Sequence, residues 1–144
     1  MKTLLTTSNW STSMFDCLIL GDSIAAGVAQ QRPECVAYAK VGWNSSQWNK
    51  TYIHKDLRSK IVMISLGSND HDGVHSFKEL LKLRESIDTK EVFWVMPAIK
   101  PNVQDHIRII AKNFNDTILY IPELSKDGVH PTGRGYRILA GQTK

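Results

Sequence analysis

The chain has no apolar run near the ~20 residues that a bilayer-crossing helix needs. Nor does it open like a secretory leader, because only Leu4 and Leu5 follow Lys2 before the polar stretch Thr6-Thr7-Ser8-Asn9. These two absences set the expectation of a cytoplasmic protein with no membrane span. Cysteine is scarce as well, with two residues, Cys17 and Cys35. Two positions alone define no disulfide framework, and both are read as reduced, partly buried thiols. The net charge is only +4, with 18 Lys and Arg against 14 Asp and Glu spread along the chain. A dense basic face is missing, so no nucleic-acid partner is expected.

Cofactor signatures are missing too. The glycines at 21 and 27 are not followed by the Lys-Ser/Thr of a phosphate loop, and they do not make a G-x-G-x-x-G spacing. His71 and His75 stand near Asp70 and Asp72, but no third histidine or cysteine follows at a metal-like spacing. No metal and no organic cofactor are expected. Internal repeats and low-complexity segments are also absent.

What is present is a chain of 144 residues with 42% hydrophobic content, enough for one domain of packed layers. Apolar runs at Phe15–Leu20, Val36–Val41, Ile61–Leu66, Val92–Met96 and Ile118–Ile121 read as strands. The near-continuous Ile61–Leu66 run suits a parallel strand buried on both faces. Between these runs the period changes to that of helices. Val74, Phe77, Leu80, Leu81 and Ile87 share one side of a helix through 76–87, and Val103, Ile107, Ile110, Ala111 and Phe114 share one side of 103–114. A final helix is predicted to start near Pro131 and to carry Tyr136, Leu139 and Ala140. Alternating strands and helices predict an α/β domain over 14–144, a parallel sheet with helices on both faces. Residues 1–13 are Ser/Thr-rich with Trp10 as the one large apolar group after Leu5, and are read as a loosely attached arm.

In an open parallel sheet, ligands bind beyond the carboxyl ends of the strands. Ser23 follows the first strand, Gly42 the second and Asn69 the third, while His130 lies beyond the fifth. Four sequence-distant groups thus meet at one edge. Ser23, at a strand-to-helix turn, reads as a nucleophile or as a helix N-cap. His130, with Asp127 upstream on an Asp-Gly turn, reads as a general base whose tautomer the carboxylate fixes. The backbone N–H of Gly42 and the side chain of Asn69 are donors for an oxyanion.

The segments Gly21-Asp22-Ser23-Ile24, the glycine at 42, Gly67-Ser68-Asn69-Asp70 and Asp127-Gly128-Val129-His130-Pro131 resemble, in order, the four blocks of the SGNH (GDSL-like) hydrolases. The resemblance implies a three-layer, flavodoxin-like α/β/α fold and a cofactor-independent esterase, thioesterase or deacetylase. Position by position, it implies Ser23 as nucleophile, and Asp127 with His130 completing a triad. The N–H of Ser23, the N–H of Gly42 and Asn69 would form the oxyanion hole. Trp43 and Trp48 follow Gly42 and are candidates to border the cleft, or to cover the core. Lys40, Lys126 and Arg134 read as solvated charge. The expected substrate is a carboxylic ester on a small molecule or a glycan, with a short acyl group such as acetyl, because so short a chain has little sequence for a lid. The rivals are a thioesterase or lysophospholipase using the same residues, and a glycan-binding module without turnover.

Overall fold

The computed structural model describes residues 14–144; the expectation of an N-terminal arm over 1–13 lies outside the described residues. Five strands form one sheet: β1 (Phe15–Gly21), β2 (Val36–Ala39), β3 (Ser59–Ser65), β4 (Glu91–Met96) and β5 (Thr117–Tyr120). Their order is β2-β1-β3-β4-β5, and every neighbouring pair is parallel. After β1 the chain steps out to β2, then returns to the other side of β1 for β3. That reversal opens a crevice between β1 and β3, the switch point where doubly wound sheets bind ligands.

Helices α1 (Ser23–Gln30), α2 (Ser45–Tyr52), α3 (Ser76–Glu85), α4 (Pro101–Phe114) and α5 (Gly133–Gln142) make the connections and the outer layers. Successive strand side chains point to opposite faces, and the core divides accordingly. Leu18, Leu20, Val62, Ile64, Trp94 and Met96 pack with Trp48, Leu80, Leu83, Val103 and Ile107 of α2, α3 and α4. Ile19, Met63 and Val95 pack with Ile24, Val28, Leu139 and Ala140 of α1 and α5. The result is the expected three-layer α/β/α arrangement.

Several local expectations needed correction. The second strand ends at Ala39 and not Val41, whose side chain is 71% exposed. Helix α2, SSQWNKTY, has too few apolar residues to show a stripe. It forms because Asn44 accepts from the N–H of Gln47 while the Gln47 side chain accepts from the N–H of Asn44, a reciprocal capping box. On α3 the buried apolar residues are Leu80 and Leu83, whereas Phe77 is 37% exposed. Phe114, at the end of α4, is partly exposed under the guanidinium of Arg84, 4.3 Å from the ring centroid. Helix α5 begins at Gly133, because the hydroxyl of Thr132 accepts from the N–H of Gly135 and makes Thr132 the cap. Pro131 lies just before it, in an antiparallel bridge with Leu124.

The cysteines depart further from expectation. Cys17 and Cys35 are not free thiols; they are joined in a disulfide. The register that places Leu18 opposite Val36 puts the two residues side by side, one step earlier on adjacent strands. Sequence spacing alone could not reveal this, since the pairing of β1 with β2 creates the proximity. The bridge fastens the short edge strand β2, and with it the turn that carries Gly42. Replacing both cysteines by alanine should lower the free energy of unfolding by about 3 kcal/mol, the chain-entropy value for a loop of this length. Urea denaturation of the oxidised wild type and of the double variant measures the difference.

Candidate active site

Gly21, the last residue of β1, decides where the site begins. Its φ is +144, and a Cβ there would lie 1.9 Å from the carbonyl oxygen of Ser65, the end of β3. Only glycine allows that approach. Next along the chain, the N–H of Asp22 donates to Ser65 O at 3.0 Å. The carboxylate of Asp22 then accepts from the N–H of Ile24 at 3.0 Å and caps α1. The cap of this helix is therefore Asp22 and not Ser23. Ser23 becomes the first helical residue, with its hydroxyl free for other work. It uses that freedom at once: Ser23 Oγ lies 2.8 Å from His130 Nε2.

His130 reaches Ser23 from a clip folded over residues 124–131. The N–H of Ser125 donates to the carbonyl of His130 at 2.8 Å, and the N–H of Gly128 to the carbonyl of Ser125 at 3.0 Å. Gly128 completes the turn with φ +70, a conformation that side chains disfavour. Asp127 organises this clip. Its Oδ1 accepts from the N–H groups of Val129 and His130 and from the hydroxyl of Ser125, at 2.8, 2.9 and 2.9 Å. Its Oδ2 is left to face His130 Nδ1 at 2.7 Å. These bonds, led by the backbone N–H of His130 and then that of Val129, hold the Asp127 carboxyl well below the usual carboxylate range. An ionised Asp127 can only accept, so the proton on the ring sits on Nδ1 and Nε2 points bare at Ser23. A hydroxyl, an imidazole and a carboxylate thus form one hydrogen-bonded line, the arrangement that lets a serine oxygen lose its proton as it attacks. Both His130 and Asp127 keep side chains about half open to solvent.

The third block sits on the neighbouring loop. Asn69 Nδ2 donates to the carbonyl of Trp43 at 3.0 Å, tying the loop after β3 to the turn that holds Gly42. A side-chain amide carries two N–H groups, so this bond leaves a second donor. Gly42 lies on an exposed turn with φ +80 and open space around its α-carbon. Trp43, half-buried, lies beneath the ammonium of Lys40, 6.0 Å from the ring centroid, and beside Tyr52. Trp48 does not border the cleft: it is 0% exposed, and its indole N–H donates to the carbonyl of Tyr38. It belongs to the core.

Two supporting carboxylates escaped the sequence reading as contributors in their own right. Asp70 is buried and accepts from the N–H and hydroxyl of Ser45 and from the hydroxyl of Ser76, at 2.8, 2.8 and 2.7 Å. One side chain thereby pins the loop bearing Asn69 to the starts of α2 and α3. The signal for it was faint: serines opening two helices. As for metals, among the described residues the one cluster able to bring three ligand atoms together is Cys17, Glu34 and Cys35. Its two sulfurs are already bonded to each other.

The second carboxylate, Asp22, is 1% exposed, and its Oδ2 is buried without a hydrogen-bond partner among the described residues. Burial outweighs the bonds from Ile24, Ala25 and Ser65 and pushes its pKa from 3.8 up to about 6. A carboxyl raised in this way keeps its proton in the folded chain where the unfolded chain has lost it. The stability it favours is present below about pH 4 and is lost as pH rises to about 6. Over that window the loss should approach 3 kcal/mol, from two pKa units at about 1.4 kcal/mol each. Asp22→Asn keeps an oxygen for the N–H of Ile24 but cannot ionise. The variant should therefore gain on the wild type as pH rises from 4 to 7 in urea denaturation. A wild-type-minus-variant difference that stays constant with pH would contradict this account.

No protein-family profile matches this chain, and no curated protein matches it. Solved structures do. One, described as an acylhydrolase from Bacteroides fragilis, superposes with a TM-score of 0.63 at 17% identity, covering 98% of this chain and 94% of its own. A second, described as a GDSL-like lipase from Parabacteroides merdae, gives 0.61 at 18% identity, over 89% and 94%. The C-terminal catalytic domain of Streptococcus pneumoniae peptidoglycan O-acetyltransferase A gives 0.59 at 14% identity, over 89% of each chain. The fold built from residues 14–144 is the α/β/α fold that these solved structures share.

Proposed function

We propose that this protein is a serine hydrolase that cleaves carboxylic esters through an acyl-enzyme. The observation that carries the proposal is the unbroken line from Ser23 Oγ to His130 Nε2, at 2.8 Å, and from His130 Nδ1 to Asp127 Oδ2, at 2.7 Å. In this reading Ser23 Oγ passes its proton to His130 as it attacks the ester carbonyl. The oxyanion is met by the N–H of Ser23 at the start of α1, by the N–H of Gly42 and by the free N–H of Asn69. Collapse of the intermediate expels the alcohol, which takes the proton from His130. Water, activated by the same imidazole, then attacks the acyl-serine and frees the acid. Asp127 holds the tautomer and stabilises the imidazolium. No step calls for a cofactor.

A short acyl group, such as acetyl on a glycan, suits the site best. His130 and Asp127 stand half exposed, as an open cleft requires. The O-acetyl chemistry named for one structural neighbour fits the same view. The aromatic ring of Trp43 beside the Asn69 loop offers a surface for a sugar. No helix among the described residues is long and apolar enough to cross a membrane. The Cys17–Cys35 bridge favours an oxidising compartment over the cytoplasm expected from the sequence.

Hydrolysis of p-nitrophenyl acetate and butyrate tests the proposal. Ser23→Ala and His130→Ala should each lose about 10⁴-fold or more in kcat while staying folded. Asp127→Asn should keep more activity than either, because only orientation and charge stabilisation are lost. Equal rates for wild type and Ser23→Ala would end the catalytic reading and leave a binding module; a steep rise from acetyl to butyrate would favour the thioesterase or lysophospholipase rival. Separately, Asn69→Ala should lower kcat about 100- to 1,000-fold with little change in KM, as expected when a transition-state donor is removed.

A further inference from the structure

The Cys17–Cys35 bond lies where the proposed oxyanion site is most thinly supported. β2, which leads into the Gly42 turn, is an edge strand of four residues that pairs with β1 alone. None of the four is fully buried. The turn beyond it is open as well. Val41 is 71% exposed, and a Cβ placed on Gly42 would meet no atom of the described residues within 4 Å. The N–H of Gly42 is therefore aimed by the strand it leaves and not by packing around it.

Three hydrogen bonds steady that strand and turn. The N–H of Lys40 donates to Gly21 O at 2.9 Å, Asn69 Nδ2 to Trp43 O at 3.0 Å, and the indole of Trp48 to Tyr38 O at 2.8 Å. Each is lost if β2 moves outward. Among the described residues the disulfide is the one covalent tie between β2 and the rest of the sheet. Its two ends differ in access. Cys17 is 7% exposed within β1, whereas Cys35 is only partly buried at the rim, so Cys35 is the sulfur that a thiol or disulfide in solution reaches. The buried Arg32 donates to Ala140 O and Thr143 Oγ1 at the end of α5, while its own carbonyl accepts from the N–H of Cys35. That anchor exists with or without the bond. It keeps Cys35 beside Cys17 in the reduced chain, so the bond can close again.

We propose that the Cys17–Cys35 bond is a redox control on the oxyanion site: the reduced chain folds with a loosened β2 and weak turnover, and closing the bond completes the Gly42 donor. The inference rests on the ester-hydrolase reading. In closure, the Cys35 thiolate attacks a small or protein disulfide and expels one thiolate; the Cys17 thiolate then attacks Cys35 Sγ and expels the other. Two thiols of this chain are oxidised, one disulfide is reduced, and the two protons pass to the released thiolates. A hydrolase built in this way is weak in a reducing compartment and gains its rate in an oxidising one.

The test reduces the full chain with a phosphine, removes the reductant, counts the free thiols and then follows p-nitrophenyl acetate hydrolysis, with reduced Ser23→Ala subtracted. Hydrogen exchange is measured on the same samples. With two thiols free, kcat should be about tenfold lower, as for a donor in place about a tenth of the time, and KM nearly unchanged. Exchange should quicken over 36–43 and not over 59–65. Oxidised glutathione should restore both readouts, and the double variant Cys17→Ser, Cys35→Ser should sit at the reduced level whatever the treatment. Equal kcat in the two states, unfolding of the reduced chain by far-UV circular dichroism, or faster exchange spread into β3 would each overturn the proposal. An oxidised wild type no faster than Ser23→Ala would instead count against the esterase reading. Exchange over 36–43 would still decide whether the bond governs β2.

Discussion

The close approach of two strand ends at Gly21 is the constraint on which the rest of the site depends. β1 and β3 come so near there that a single methyl group would collide with the carbonyl of Ser65. The contact is held from both sides. Asp22 N–H donates to Ser65 O, and on the other side Lys40 N–H donates to Gly21 O at 2.9 Å. Three consecutive strands of the sheet are thereby drawn level at their carboxyl ends. The loops that leave them carry Ser23, Gly42 and Asn69. A bulkier residue at 21 would push β1 away from β3 and move Ser23 off the line to His130.

Buried carboxylates hold this edge in shape, and they do so at different energetic balances. Asp70 is well satisfied, with three short bonds joining two helix starts to one loop. Asp22 is not: one of its oxygens has no hydrogen-bond partner among the described residues, and burial resists its ionisation. Asp127 lies at the other extreme, half exposed and surrounded by donors, so it remains charged. Its contribution to folding is present above the ordinary carboxylate range and fades only as strong acid protonates it. The chain thus keeps a readily ionised carboxylate where an imidazolium would form, and a buried carboxyl that resists ionisation directly behind the serine.

The edge of the sheet also brings two groups of loops together. Toward β1 lie the serine, the imidazole and the amide donors suited to an acyl group. Toward β4 lies the cleft between the starts of α3 and α4. The Asn69–Asp70 pair joins the halves, since Asn69 turns toward Trp43 and the Gly42 turn while Asp70 secures the start of α3.

The sequence alone was enough for the strand runs, for the α4 stripe of Val103, Ile107, Ile110 and Ala111, and for singling out Ser23, Asp127 and His130, which the fold joins in one hydrogen-bonded line. Apolar period and local turn chemistry act over a few residues, and they leave their mark in the chain itself. It also placed Trp94 inside a strand, where the structure buries it. It could not reveal features made by remote neighbours. The Cys17–Cys35 bond exists because β2 pairs with β1, and α2 is fixed by two polar side chains rather than by an apolar stripe. Trp48 turns inward because Tyr38 offers a carbonyl, while Asp22 takes the cap and frees the Ser23 hydroxyl. The cleft lined by residues of the loops after β3 and β4 shows the same limit most plainly. His71 and His75 were visible as a pair, but Lys100 and His106 join them only because β3 and β4 lie side by side, a proximity that no spacing along the chain records.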